Sequence, residues 1–96
     1  MESLQSLVPS VVIDLLRQGP LSSAKLELAW RVAVGNVLAR ATDVRLAPPG
    51  TVLVTARDER WRAELQRSRR VILARVQALV GADRITKIEV EKAGRS

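Results

Sequence analysis

The stretch Asp43–Asp58, "DVRLAPPGTVLVTARD", decides the fold, because the spacing of apolar residues changes within it. Upstream they recur at helical intervals; here they alternate. Val44 and Leu46 flank Arg45, while Val52, Val54 and Ala56 alternate with Leu53, Thr55 and Arg57. A period of two sends successive side chains to opposite faces of a strand. Ala47-Pro48-Pro49-Gly50 supplies turn chemistry between the two runs, so the segment predicts a β-hairpin.

Downstream, Asp58 is placed to cap a long helix running to about Val80, with Glu59 and Glu64 toward its positive end and Gly81 as its stop. The run "RITKIEV" then returns to strand spacing, with Thr86, Ile88 and Val90 on one face. The polar tail, residues 91–96, is expected to fray. Upstream, "SLVPSVVIDLLRQGP" predicts a helix starting near Leu7, since Pro9 fits only a first turn, and ending at Gly19-Pro20. Its expected stripe is Leu4, Val8, Val11 and Leu15, widened by Leu7, Val12 and Leu16.

Ser22 or Ser23 caps a second helix, predicted over Ala24 to Ala41. Leu26, Trp30, Ala33 and Val37 share one face, flanked by Val34 and Ala41. Leu28, Val32, Gly35 and Ala39 form an opposite seam, expected to pack on the first helix. Left uncovered, that seam becomes a partner surface, with Leu28 and Val32 as its candidates. The order α-α-β-β-α-β gives a two-layer α+β domain whose three-stranded sheet is covered by helices. One domain spans 1–96, with an ordered core of about 7–90.

Composition narrows the chemistry. The chain has no His and no Cys. That removes the thiol nucleophile, the serine triad and the thiolate or imidazole metal site. The carboxylates are scattered; Glu89 and Glu91 would share a strand face with no sign of a pocket. An enzyme is disfavoured, and no cofactor, metal or small-molecule substrate is expected. No apolar run reaches the roughly 18–20 residues of a membrane span, and no signal peptide is legible, so a cytoplasmic protein is the default.

Net charge is +6, unevenly placed: residues 1–42 hold four basic and three acidic side chains, residues 43–96 twelve and seven. A basic second half favours a polyanionic partner. Thirteen Arg against three Lys also fits biased codon usage, which weakens the inference.

On a wheel of the long helix with Trp61 at 0°, Leu65, Ile72, Val76 and Leu79 all fall within about 60°. Trp61 therefore heads an apolar stripe and is expected in the core with Trp30, Leu65 and Ile72. The competing readings are an exposed stacking platform and a half-buried ring with its N–H at the surface. Arg62, Gln66, Arg69 and Arg70 occupy one exposed sector, near 80–180° on the same approximate wheel, with no acidic member. Arg57 extends that sector. Arg60 and Arg67 lie on the other flank with Glu64, where a pair such as Arg60–Glu64 contributes a few tenths of a kcal/mol. A merely solvated helix face is the bland alternative to a phosphate-tracking stripe.

Order and spacing then become diagnostic. Trp30 and Gly35 (W-x-x-x-x-G), "LARAT", "TVLVTARD", Trp61 with Glu64-Leu65 (W-x-x-E-L), Leu79-Val80-Gly81 and "ITKIEV" succeed one another over about 65 residues. Together they resemble the bacterial DciA family of replicative-helicase loaders. The resemblance implies a KH-like domain that acts on the ring-shaped replicative helicase and helps it onto single-stranded DNA without ATPase activity. No G-x-x-x-x-G-K-[ST] loop is present, in keeping with that. No G-x-x-G loop occurs either, which disfavours RNA recognition of the ordinary KH kind. Many members extend the domain with a long basic arm; here few residues follow the last strand, which puts autonomous loading in doubt. The expected partners are the replicative DNA helicase and single-stranded or junction DNA, the latter through Arg57, Arg62, Arg69 and Arg70. Four phosphate contacts give a salt slope of roughly −3 on single strands. The rivals are a KH-like RNA-binding or ribosome-associated protein and a pure protein-interaction module.

Overall fold

The computed structural model describes residues 9–92, in the order α-α-α-β-β-α-β. The elements are α1 Ser10–Arg17, α2 Ser23–Val34, α3 Asn36–Arg40, β1 Thr42–Ala47, β2 Thr51–Ala56, α4 Glu59–Val80 and β3 Lys87–Lys92. The α+β architecture and the helix-covered three-stranded sheet are as expected. The extra helix is a correction: the predicted second helix is broken at Gly35.

Gly35 has φ +89° and ψ 165°, a region essentially restricted to glycine. Its N–H still bonds the Arg31 carbonyl at 2.8 Å, while its own carbonyl accepts from Ala39 N at 3.0 Å. One residue thus ends α2 and starts α3 in a new direction. The helical wheel drawn through position 35 fails beyond it. Leu26, Trp30 and Ala33 are buried as expected, but Val37 is 71% exposed.

The first helix also departs from its predicted form. It begins at Ser10, with the Pro9 carbonyl accepting from Val12 N and Ile13 N. Its inward face is Leu16 with Val12 and Ile13. Val11 and Leu15, from the stripe expected to be primary, are exposed; Leu4, Leu7 and Val8 lie outside the described residues. Helix α1 packs on α4. Arg17 Nη2 donates to the Ala78 carbonyl at 2.8 Å, and Arg84 Nη2 donates to the Arg17 carbonyl. The seam of Leu28, Val32, Gly35 and Ala39 therefore does not serve as its seat. Leu28 is exposed at 42%, whereas Val32 and Ala39 lie partly buried against the core.

The sheet order is β1-β2-β3. β1 and β2 form the predicted antiparallel hairpin, pairing Thr42 with Ala56 and Ala47 with Thr51. β3 returns through α4 to lie parallel to β2, pairing Val52 with Ile88 and Val54 with Val90. Val52, Val54, Ala56 and Ile88 face the helices and are buried. The alternate residues Asp43, Arg45, Glu89 and Glu91 point away from the helices and are exposed. One face of the sheet is core and the other is a polar surface of mixed charge.

Helix α4 closes the core with Leu65, Ile72, Val76, Leu79 and Val80, all buried. Its N-cap Asp58 accepts from Trp61 N at 3.0 Å, and Gly81 N donates to the Gln77 carbonyl at 2.8 Å. Cross-ties fix it laterally: Arg75 Nη1 donates to the Ala33 carbonyl at 3.2 Å, and Gln77 Nε2 to the Ile85 carbonyl at 2.8 Å. The first of these places a cation at the negative end of α2.

Candidate nucleic-acid interface

The helix that carries the apolar stripe also positions the arginines, because a rigid 22-residue rod fixes the angle between its two faces. Trp61 sits at the boundary between them. Its ring is half-buried against the core instead of enclosed by it, and the Arg60 guanidinium lies 6.0 Å from the ring centroid. That distance is within reach of a cation–π attraction. The half-buried reading replaces the fully buried one. The cause is position: Trp61 lies in the first turn of α4, and the fully buried residues of that helix begin only at Leu65.

The predicted arginine sector does not act as one unit. Arg57 is exposed at the exit of β2, its N–H bonded to the Ala41 carbonyl at 3.0 Å. Arg62 is half-buried and held by Glu59, with Nε to Oε1 at 3.0 Å and Nη2 to Oε2 at 3.2 Å. A fork of this kind is the strongest common geometry for a guanidinium and a carboxylate. The hydrogen bond and the charge of Glu59 push the Arg62 pKa up from its ordinary value. The sector thus does have an acidic member. Glu59, assigned by sequence to the helix dipole, serves Arg62 three residues on.

On the opposite flank, Glu64 pairs with Arg67 at 2.5 Å, not with Arg60 as the wheel suggested. Arg60 takes the Trp61 ring face instead. Gln66 is exposed.

Arg69 and Arg70 are exposed and come together at a groove of about 530 Å³ between α4 and β3. Its other walls are Leu73, Lys87, Ile88 and Glu89. Lys87 Nζ and Glu89 Oε2 pair at 2.9 Å, so the groove's uncompensated charge resides in the two arginines. Arg57, Arg62 and Gln66 do not line it. Lys87, Leu73 and Ile88 escaped the sequence reading because strand order is not written in any local pattern. Only the structure makes β3 the edge strand beside α4. Among the described residues, no group of His, Cys, Asp and Glu is placed to hold a metal ion, and no helix is long and apolar enough to cross a membrane.

The model of one protein family, described as "Dna[CI] antecedent, DciA", matches residues 3–90. The chain belongs to the DciA family. Membership ties it to DNA replication. The motifs that carry the resemblance now have physical roles in a DciA chain. Trp30 is buried at 2% exposure, Gly35 is the break between α2 and α3, and Leu65 anchors α4. No curated protein matches the chain at a significant level.

Proposed function

We propose that this chain is a non-enzymatic replication accessory protein that binds the replicative DNA helicase and assists its loading onto single-stranded DNA. In this reading the DNA is touched weakly, by Arg69 and Arg70 at the α4–β3 groove, with Lys87 beside them and Arg57 at the far end of the helix. Arg62 contributes only by exchanging Glu59 for a phosphate. Gln66, on the same flank, offers a hydrogen bond without charge.

The observation that carries the DNA part is the convergence of two exposed arginines on one groove, within a chain whose net charge is +6. Phosphates are the acceptors that such a pair suits, because guanidinium donors match their geometry. The open sheet face is a poor alternative track, since Asp43 and Glu91 would repel a phosphate backbone there. The helicase part rests on family membership.

Co-purification with the replicative helicase of the same organism, with and without single-stranded DNA, tests the proposal. Retention of the helicase in both cases, with a further gain when DNA is present, is expected. No retention under either condition would sink it. Tighter binding to structured RNA than to single-stranded DNA in direct competition would favour an RNA-associated role instead.

A further inference from the structure

A second site lies where the hairpin turn meets the α1–α2 loop. Pro20, Leu21, Leu46, Pro48, Pro49 and Arg84 line an open pocket of about 350 Å³ there. Its walls are apolar apart from Arg84. That arginine is half-buried: Nη2 donates to the Arg17 carbonyl, while Nη1 is buried with no hydrogen-bond partner among the described residues. No ion pair among those residues includes Arg84. The charge of this half-buried guanidinium is therefore matched by no carboxylate among the described residues, which favours an anionic neighbour at the pocket wall.

The pocket is built in advance. Three prolines restrict its rim. Gly50, at φ +86°, brings the hairpin turn against the segment before β3, and its carbonyl accepts from Thr86 N at 2.8 Å. A Cβ at Gly50 would stand a tight 3.0 Å from the Arg84 carbonyl, and the positive φ there strains any other residue. A preformed site loses little entropy on binding.

We propose that this pocket captures an acidic, apolar segment of a protein partner. A large aliphatic side chain fills the proline–leucine walls, and a carboxylate within two residues of it pairs with the Arg84 guanidinium at the pocket wall. The lining selects this occupant over a nucleotide. It offers no aromatic ring on which a base could stack and one cation where a phosphate backbone needs several. The assignment stands independently of the helicase reading, since it follows from the pocket's own chemistry.

Selection from a random heptapeptide display library against the purified chain tests it. Enriched peptides are expected to place Leu, Ile or Met within two residues of Asp or Glu. A synthetic consensus peptide should bind at least tenfold more weakly to Arg84→Met. Pro20→Glu, at an exposed loop position, should weaken it similarly by setting a fixed carboxylate at the rim, and supplies the test should Arg84→Met fold poorly. Absence of such a consensus overturns the proposal, as does consensus binding unchanged in the folded variants. Saturable perturbation of Leu46 and Arg84 resonances by a thymidine oligonucleotide, lost in the same variants, would reassign the pocket to nucleic acid and overturn it equally.

Discussion

The Trp30 indole nitrogen donates to the Thr42 hydroxyl at 3.0 Å, and that hydroxyl in turn donates to the Leu38 carbonyl at 2.8 Å. One small side chain therefore joins α2, α3 and β1, with the ring 2% and the threonine 4% exposed. Replacing Thr42 by Val keeps the shape but strands the buried Trp30 N–H, while the Leu38 carbonyl keeps its bond from Ala41 N at 3.1 Å. The expected cost is about 1–3 kcal/mol, the penalty for a buried polar group left unsatisfied. Urea unfolding of Thr42→Val, Trp30→Phe and the double variant should give non-additive losses. Additivity would show that the hydroxyl is idle.

Gly35→Ala isolates backbone strain from packing. A Cβ at this position meets nothing within 4 Å, so the space is free. The conformation, φ +89° with ψ 165°, is not. The substitution is expected to cost about 1–3 kcal/mol, the range for a side chain held in such a region. A thermal melt matching the parent chain would mean that α2 and α3 can join into the continuous helix the sequence suggested.

What could be read in advance divides along physical lines. The hairpin, the Asp58 cap and the Leu65–Ile72–Val76–Leu79 stripe were legible because each depends on neighbours within one or two turns. The break at Gly35 was not. Glycine is tolerated inside helices at about 1 kcal/mol, and only tertiary packing decides whether it stays helical. The inward stripe of α1 was misassigned because Val11 and Leu15 are as apolar as Val12 and Leu16. Nothing local says which side meets α4. The groove at Arg69 and Arg70 was half legible: the helix flank follows from the wheel, but Lys87 and Ile88 join it only through the parallel return of β3.

Trp61 gives a graded test of this boundary position. A fully enclosed Trp cut to Ala costs about 3–5 kcal/mol; Trp61, half-buried beside Arg60, should cost less. Leu65→Ala, four residues on and 1% exposed, should cost about 2–5 kcal/mol and exceed it. Paired urea titrations decide the order. A reversed order would place the indole deeper in the core than its surface indicates.

The arginines separate by what already holds them. Arg62 has Glu59 in a two-pronged bond, whereas Arg69 and Arg70 open onto the groove. Counting Arg57, Arg69 and Arg70 as free phosphate contacts, the salt slope on single strands becomes roughly −2, shallower than a four-contact stripe would give. Arg69→Gln with Arg70→Gln should flatten it by about 1.4, since each lost contact removes about 0.7. Arg62→Gln should leave the slope nearly unchanged, because the charge removed was already matched by a carboxylate. Fluorescence anisotropy with a labelled thymidine oligonucleotide across a salt series measures all three chains. Equal flattening by Arg62→Gln would mean that Glu59 releases its partner to DNA, and the helix flank, not the groove, would then be the track.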